Sequence, residues 1–195
     1  MMNEALVLAA GSGRRFGGSK LTSPWRGGLL IDAALAAAFA APVRTVTVVT
    51  GADPKVAPAA EAFAAKAGQT ARLSLVHAAD HLEGMGASLR TGAGDLPADA
   101  GAVIVFLGDM PGVPHDLAEK LLAAVSSGAE AAAPVLEGRR GHPVAFAKSL
   151  FAQLKTLGGD EGARRILGGL GDRLRLIPVE GEGIFRDIDT PEDLA

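Results

Sequence analysis

The hydrophobic positions of the chain follow two alternating periods. Short apolar or β-branched runs, typical of buried strands, are separated by longer runs in which apolar residues recur with the helical period. One of the short runs, Ala102–Leu107, is continuously apolar and predicts a central parallel strand covered on both faces. The predicted strands are Ala5–Ala10, Val43–Val49, Leu73–His77, Ala102–Leu107, Glu130–Leu136, Pro143–Phe146 and Leu174–Val179. For the two runs between 130 and 146, an antiparallel direction stays open.

Helical runs lie between these strands. They are predicted at Leu29–Ala40, Val56–Ala67, Gly86–Gly94, Pro114–Ser126 and Asp160–Leu170, with the first turn of a terminal helix at Thr190–Leu194. Repeated alternation of strand and helix predicts a mostly parallel sheet with right-handed crossovers, which is a Rossmann-like three-layer α/β sandwich. The sequence shows no linker, internal repeat or low-complexity tail, so we expect one domain over residues 1–195.

Composition and charge narrow the class of protein. The chain has 195 residues, 48% of them hydrophobic, and a net charge of −3, which gives no global sign of a nucleic-acid surface. It has no cysteine, so disulfides, thiolate metal sites and a cysteine nucleophile are excluded. We see no signal peptide, and the longest Ala/Leu-rich stretch, Leu29–Ala41, contains Asp32 and is too short to span a bilayer. A cytoplasmic protein without nucleic-acid or membrane partners is expected.

The loop after the first predicted strand is suited to a phosphate ligand. Four glycines, Gly11, Gly13, Gly17 and Gly18, allow close approach of the backbone and can turn N–H groups toward a ligand. Arg15 and Lys20 add fixed positive charge within the same loop. A solvated surface turn is the alternative, but the cations directly follow a buried strand, and this favours phosphate binding.

Two familiar phosphate loops do not match. A P-loop requires Gly-Lys-Ser/Thr, but Lys20 follows Ser19 and precedes Leu21. A dinucleotide fingerprint requires a third glycine where Phe16 stands. It also requires an acidic residue after the second strand, where Thr50-Gly51 stands.

Two aspartates are candidate metal ligands. Asp109 follows the most apolar strand, at the sheet edge where open α/β folds bind ligands. Asp189 comes late in the chain, with Asp187 as the reserve candidate because alternation along a strand can place either one on the site side. Thr190 is expected to cap the terminal helix. One or two carboxylates, completed by substrate phosphates, are the usual protein ligands of Mg²⁺.

Six motifs occur in an order that resembles a known family. They are the Leu8–Lys20 loop, Gly84-Met85-Gly86-Ala87-Ser88-Leu89, Gly108-Asp109-Met110-Pro111, Arg140-Gly141-His142-Pro143, Gly159-Asp160-Glu161-Gly162-Ala163-Arg164 and the late segment 187–194. Together they resemble the nucleotidyltransferases of molybdenum-cofactor maturation, and most of all the cytidylyltransferases. This resemblance implies a fold of the nucleotide-diphospho-sugar transferase type. It also implies a Mg²⁺-dependent transfer of CMP from CTP to the phosphate of a pterin, the molybdenum cofactor, with release of pyrophosphate.

The resemblance also implies roles for single residues. Arg15, Lys20 and Asp109 carry over as catalytic, and Asp109 with Asp189 as the metal ligands. His142 and Arg164 carry over to the acceptor side. The nucleotide-binding set is Leu8, Ala9, Ala10, Gly11, Gly13, Arg15, Lys20 and Ser88, although Ser88 could equally cap a helix. Ala10 stands where guanylyl relatives usually carry glycine, which favours CTP over GTP.

Some features depart from the family and leave alternatives open. Gly13 replaces a common serine, and Leu21–Trp25 matches the family only loosely. Another nucleotidyltransferase using GTP or a sugar or polyol phosphate, an NAD(P)-dependent oxidoreductase, and a non-catalytic binding protein remain alternatives. The resemblance to the cytidylyltransferases implies that the product passes to a xanthine-dehydrogenase-type molybdoenzyme or its chaperone.

Overall fold

The sheet is the central layer of the protein, seen in a computed structural model that describes residues 2–194. Its strands lie in the order β10-β7-β9-β6-β1-β4-β5, with β8 paired to β7, and a separate hairpin joins β2 to β3. The bounds are β1 Met2–Ala9, β2 Pro24–Trp25, β3 Gly28–Leu29, β4 Val46–Thr50, β5 Leu73–His77, β6 Ala100–Leu107, β7 Ala131–Leu136, β8 Arg139–Arg140, β9 Val144–Ala147 and β10 Leu174–Pro178.

The helices cover both faces of the sheet. Their bounds are α1 Leu30–Ala40, α2 Val56–Lys66, α3 Met85–Gly94, α4 Leu117–Ser126, α5 Phe151–Leu154 and α6 Arg164–Gly168. Along β1, Ala5, Val7 and Ala9 face one core cluster, which includes residues of α1, α2 and α4. The alternate residues Leu6 and Leu8 face the other, which includes residues of α3, α5 and α6. Period-two alternation with apolar residues on both sides thus builds three layers.

The predicted α/β class and the mostly parallel sheet are confirmed. β1 runs parallel to both β4 and β6, and β4 runs parallel to β5. Of the two late strands whose direction stayed open, only β9 is antiparallel to β6. Since β7 is antiparallel to β9, it runs in the same direction as β6.

Several predicted bounds were wrong for local reasons. The helix expected over Asp160–Leu170 is confined to Arg164–Gly168, because Gly162 has φ +53° and breaks the helical run. The strand expected from Val43 begins at Val46. The helix expected from Pro114 begins at Leu117. The short strand β8 and the β2–β3 hairpin were not predicted.

Of the two predicted caps, Ser88 was wrong and Thr190 is in place. Ser88 lies inside α3, whose N-terminal cap position is Gly84, so it does not cap that helix. Thr190 directly precedes the 3-10 helix Pro191–Leu194, and its N–H and hydroxyl both donate to the carboxylate of Asp193, at 2.8 and 3.0 Å. In the part of the chain that is described, no helix has the length and apolar character to cross a membrane.

Candidate nucleotide and metal site

Asp109 is placed by the pairing of the two central strands. Leu8 of β1 lies opposite Leu107 of β6, and the N–H of Gly108 donates to the carbonyl of Leu8 at 2.9 Å. A Cβ on Gly108 would lie 3.1 Å from that same carbonyl oxygen, so a small residue suits this position. Asp109 therefore leaves β6 beside the start of the glycine-rich loop, at the carboxyl edge of the sheet.

The late segment brings Asp189 to the same edge. The N–H of Ile188 donates to the carbonyl of Asp109 at 3.0 Å, and the Ile188 side chain is buried. The carboxylate of Asp193 accepts hydrogen bonds from the N–H groups of Thr190 at 2.8 Å and Asp189 at 3.0 Å. These bonds hold the pKa of Asp193 below its usual range. The backbone that presents Asp189 is thus fixed on both sides.

Lys20 lies between the two candidate metal ligands. Its Nζ is 2.7 Å from the carboxylate of Asp109 and 3.3 Å from that of Asp189. Arg15 extends the cluster, with its guanidinium 2.8 Å from the other oxygen of Asp189. The Lys20 side chain is 12% exposed and that of Asp109 is 25% exposed, whereas Arg15 is 81% exposed. The strength of these contacts therefore falls from the sheet outward, because water screens the Arg15 pair.

The loop geometry aims Lys20 inward. Gly13 has φ +57°, and its carbonyl accepts from the N–H groups of Phe16 at 3.0 Å and Gly18 at 3.1 Å. A Cβ on Gly13 would meet the Cβ of Lys20 at 3.1 Å, so the glycine allows the loop to close over the lysine stem. Leu21, the next residue, is buried in the core and anchors the loop. Gly13 thus has a structural reason to replace the serine common in related loops.

A cavity of about 520 Å³ opens beside this cluster. We call it the nucleoside cavity; it lies between the loop after β1 and the start of α3. Its lining includes Leu8, Ala10, Gly11, Ser12, His81, Leu82, Gly84, Met85, Ser88, Leu107, Asp109, Asp160, Asp187 and Asp189. Of the predicted nucleotide-binding residues, Leu8, Ala10, Gly11 and Ser88 line this cavity. Gly13, Arg15 and Lys20 line a smaller pocket that shares Ser12 and Asp189 with it, whereas the Ala9 side chain is buried in the core on the opposite face of the sheet.

A second cavity, of about 530 Å³, adjoins the first. We call it the arginine cavity, since Arg139, Arg140 and Arg164 all line it together with His142. None of the three arginines has an ion-pair partner among the residues described. Arg139 also stacks over Phe185, with 4.5 Å from its guanidinium carbon to the ring centroid. Asp160 and Glu161 also line this cavity, so the three arginines leave it with an excess of positive charge, which favours an anionic ligand.

His142 lies in the arginine cavity with an unsatisfied ring. Burial lowers its pKa below the ordinary value, while the charge of Asp109 opposes that shift and the charge of Arg164 adds to it. Its Nδ1 is buried and has no hydrogen-bond partner within residues 2–194. An imidazole of this kind suits a polar ligand group that can complete its hydrogen bonding.

Two glycine-rich segments form the wall shared by the two cavities. Gly86 donates its N–H to the carbonyl of Gly159 at 2.8 Å, and a Cβ on Gly86 would lie 2.5 Å from the carbonyl oxygen of Gly158. This close packing places Asp160 in the linings of both cavities. The sequence contained a signal for it, since both segments are glycine-rich motifs, but their mutual contact could not be predicted from either one alone.

The structure therefore brings most of the predicted site residues together. Arg15, Lys20, Asp109 and Asp189 form one cluster. Asp187 lines the nucleoside cavity, but Asp189 is the aspartate that contacts Lys20. Sequence reasoning missed the shared position of Asp160 and the contribution of Arg139.

The donor chemistry of the cluster fits a hard divalent cation. Two carboxylates converge on a single ammonium, so they already point toward one positive charge. Among the described residues, no group of three or more metal-ligating side chains occurs. A cation held here would therefore take its remaining ligands from phosphate oxygens and water, as Mg²⁺ does in nucleotide sites.

Comparison with known proteins places this geometry in a family. Residues 5–174 match the model of the MobA-like NTP transferase domain. The chain is 33% identical to nicotine blue oxidoreductase of Paenarthrobacter nicotinovorans, covering 97% of this chain and 93% of that protein. It is 31% identical to the purine catabolism protein PucB of Bacillus subtilis strain 168, covering 96% and 92%. It is 25% identical to molybdenum cofactor cytidylyltransferase of Escherichia coli K12, covering 97% and 92%.

Solved structures agree on the fold. The crystal structure of Rv0371c from Mycobacterium tuberculosis H37Rv superposes with a TM-score of 0.78 at 25% identity, covering 99% of this chain and 95% of that one. A complex of Rv0371c with manganese gives a TM-score of 0.74 at 24% identity, covering 99% and 96%. The chain belongs to the MobA-like NTP transferase family, and it is a nucleotidyltransferase with the Rossmann-like fold predicted from its sequence.

Proposed function

We propose that the protein transfers CMP from CTP to the phosphate of the molybdenum cofactor and releases pyrophosphate. The observation that carries the proposal is the position of Lys20, whose ammonium is shared by Asp109 and Asp189, both of which line the nucleoside cavity. Two carboxylates that suit a metal ion and an ammonium group that suits a phosphate therefore lie side by side. This arrangement suits a triphosphate whose α-phosphorus lies between the two cavities.

The reaction needs positioning and charge more than a protein nucleophile. A phosphate oxygen of the acceptor attacks the α-phosphorus in line, the new P–O bond forms, and the bond from the α-phosphorus to the bridging oxygen breaks, so that pyrophosphate leaves. A phosphate monoester is already anionic near neutral pH, so no strong general base is required. Lys20, Arg15 and the loop N–H groups stabilise the negative charge that moves toward pyrophosphate.

Asp109 and Asp189 would hold a divalent cation, proposed to be Mg²⁺. When bound, the cation would neutralise charge on the phosphate oxygens. Lys20 would then turn from the carboxylates toward the phosphates. Its long, flexible stem permits this movement, and its Nζ lies at hydrogen-bond distance from both carboxylates at the start.

The arginine cavity supports an anionic acceptor. Arg139, Arg140 and Arg164 surround one space, and His142 contributes an unsatisfied ring nitrogen. A neutral alcohol would bring no charge to pair with these arginines, whereas a phosphorylated pterin would supply both anionic oxygens and polar ring atoms. His142 and Arg164 are proposed as acceptor contacts on this ground.

The preference for CTP rests on Ala10. Its side chain lines the nucleoside cavity and is otherwise buried, and Gly51 packs closely against it, since a Cβ on Gly51 would lie 2.7 Å from the Ala10 Cβ. A methyl group of this kind discriminates between bases by roughly 1–3 kcal/mol. We therefore expect CTP to be preferred and GTP to retain some activity.

An oxidoreductase is the second candidate, because the 33%-identical relative carries that name. The loop after β1 has Phe16 where a dinucleotide fingerprint has glycine, and β4 ends in Thr50 followed by Gly51, without an acidic residue for a ribose. These residues favour nucleotidyl transfer. Binding of NADH or NADPH, measured by fluorescence titration, would support this second candidate.

The deciding experiment measures pyrophosphate release. The protein is incubated with CTP or GTP, molybdenum cofactor, and Mg²⁺ or Mn²⁺, with Asp109→Asn as the matched control. We expect release that depends on metal and acceptor and is faster with CTP. Faster turnover of GTP would overturn the base assignment, and turnover only with a sugar or polyol phosphate would overturn the acceptor.

We further propose that the reaction occurs in the cytoplasm and that the product passes to a xanthine-dehydrogenase-type enzyme or its chaperone.

A further inference from the structure

Arg90 ties together three segments behind the site. It lies on α3, and its Nη1 donates to the carbonyl of Leu157 at 2.6 Å. Its Nη2 donates to the carboxylate of Glu83 at 3.0 Å and also pairs with Asp80. This pairing raises the pKa of Arg90 and lowers that of Asp80. One guanidinium therefore connects α3, the turn before it, and the loop that follows α5.

The connected segments are those that form the wall between the cavities. Gly158 and Gly159, which directly follow Leu157, pack against Gly84 and Gly86 without space for a Cβ on either of the latter. The Gly86–Gly159 hydrogen bond is the only direct backbone bond between these two segments among the residues described. Leu157, whose carbonyl accepts from Arg90, directly precedes Gly158 and Gly159 in the chain. Arg90 therefore holds this loop close to the Gly86–Gly159 bond.

We propose that Arg90 is a positioning residue, which sets the wall between the nucleoside cavity and the arginine cavity. It lines neither cavity, so it is not expected to touch nucleotide or acceptor. It acts through Leu157 on Gly159 and Asp160, and through Asp80 and Glu83 on the turn that leads to Gly84. The inference rests on the proposed function in one respect, which is that a nucleoside triphosphate is taken as the ligand of the nucleoside cavity.

The physical reason is that the wall has little of its own to hold it. Gly159 has φ +65° and Gly162 has φ +53°, so the loop is built of residues with high conformational entropy when released. Asp160 is exposed, and no ion pair fixes its carboxylate within the described chain. Without Arg90, the loop would be held against α3 by a single backbone hydrogen bond, by glycine packing and by the contact of Leu157 with the core.

The test compares Arg90→Met with Arg72→Met. Arg72 is the matched control, since its guanidinium also joins separate segments through the carbonyls of Phe39, at 3.1 Å, and Val43, at 2.8 Å, but lines neither cavity. For Arg90→Met we expect kcat/KM for the nucleotide to fall by roughly 10- to 100-fold, mainly through KM, since small misplacements of a binding wall are costly. Arg72→Met should keep wild-type kinetic constants even if its Tm falls. Arg90→Lys should rescue in part, because one ammonium cannot serve all three partners.

A second measurement needs no substrate. Amide hydrogen exchange at Gly86 should be faster in Arg90→Met than in Arg72→Met at matched stability, because the bond to Gly159 opens more often. Unchanged exchange at Gly86, or kinetic constants equal to those of Arg72→Met, would overturn the positioning role. If CTP proves not to be the substrate, the exchange result still reports on Arg90, so the two proposals fail separately.

Discussion

At each end of the paired strands β1 and β6, a cationic side chain lies between two carboxylates. At the carboxyl edge, Lys20 lies between Asp109 and Asp189. At the amino edge, Arg44 lies between Glu4, on β1, and Asp99, which precedes β6. Lys20 and Arg44 each pair with two carboxylates at similar distances, and Arg15 adds a second cation only at the carboxyl edge, so charge pairing alone does not distinguish a site from a structural tie.

The difference lies in what surrounds each cluster. Glu4 is 2% exposed, and its second oxygen accepts from the N–H of Thr45 at 3.1 Å, so the inner part of the amino-edge cluster is closed by protein donors and only Asp99 is exposed on its outer side. The carboxyl-edge cluster borders the nucleoside cavity and is approached by a glycine-rich loop. Parallel strands place loops that can bind a ligand at their carboxyl ends. A closed cluster stabilises the fold, whereas an open one can exchange its partners for a ligand.

The largest expected effect is that of Asp109→Asn. The amide keeps the shape of the side chain but removes the charge that the metal and Lys20 require, so we expect turnover to fall below detection. The melting temperature should stay near wild type, because Asp109 contributes no apolar contact to the core and shares Lys20 with Asp189. Pyrophosphate release and thermal unfolding measure the two quantities. A variant with a normal Tm and near-normal activity would remove Asp109 from the metal site.

Lys20→Ala should have the next largest effect. We expect kcat/KM to fall on the order of 10²–10³-fold, the cost of losing one preorganised charge on a developing anion. KM should rise as well, because the ground-state triphosphate is also anionic. Lys20→Arg should restore activity only in part, since a planar guanidinium cannot replace a compact ammonium that lies between two carboxylates.

The matched change at the other edge is Arg44→Ala, whose effect should be on stability. If Lys20→Ala mainly lowered Tm, or retained most of its kcat/KM, the two clusters would be alike and the phosphate role of the loop would be wrong. If Arg44→Ala lost turnover at a temperature where it is fully folded, the amino-edge cluster would have a function that its closed surroundings do not suggest.

Glu4→Gln should give a smaller, purely thermodynamic effect. Glu4 is buried with Arg44 and the N–H of Thr45 as its partners, and the neutral amide would satisfy them poorly. We expect Tm to fall by roughly 3–8 °C, the size expected for a poorly satisfied buried group in a domain of this length. The kinetic constants of the folded variant should equal those of wild type. A loss of turnover in the folded variant would contradict the assignment of this edge to stability.

The same comparison shows what could be predicted from the sequence. Asp109 and the glycine-rich loop were found because each directly follows a recognisable apolar strand, and strand ends converge by topology. The Arg44 cluster was not predicted, because Glu4, Arg44 and Asp99 belong to no motif and meet only when β1, β4 and β6 pair. Local pattern thus identifies sites at strand ends but not the ion pairs that pairing creates.

The errors follow from the same limit. Ser88 stands where a cap could stand, but α3 begins at Met85, where Gly84 packs against the loop after α5. Asp160 and Arg90 obtain their positions from that contact, whose two segments lie about seventy residues apart along the chain. Ala9 belongs to the predicted set because it stands within the family motif, whereas strand alternation turns its side chain to the opposite face of the sheet. Contacts distant in sequence are set by packing, which periodicity does not report.

Asp99→Asn should have the smallest effect, and its sign can be worked out. Hydrogen bonds from Arg44, at 2.8 and 2.9 Å, lower the pKa of Asp99 below its ordinary value of 3.8. A carboxyl whose pKa is lowered by folding stabilises the protein above its unfolded pKa, and this contribution is lost as the pH falls through the folded value. Wild type should therefore melt slightly above Asp99→Asn at pH 7, and the difference should shrink progressively as the pH falls below 3.8.

The control for this measurement is Asp172→Asn, an exposed aspartate that has no ion-pair partner among residues 2–194. The Asp99 difference should also shrink in high salt, because the pair with Arg44 is exposed to solvent and screened. Unfolding curves recorded from pH 7 into the acid range, with and without added salt, test both points. A Tm difference that stayed constant over the whole range would mean that Asp99 acts through packing or a backbone contact instead of its charge. The amino-edge cluster would then depend on Glu4 alone as its charged partner for Arg44.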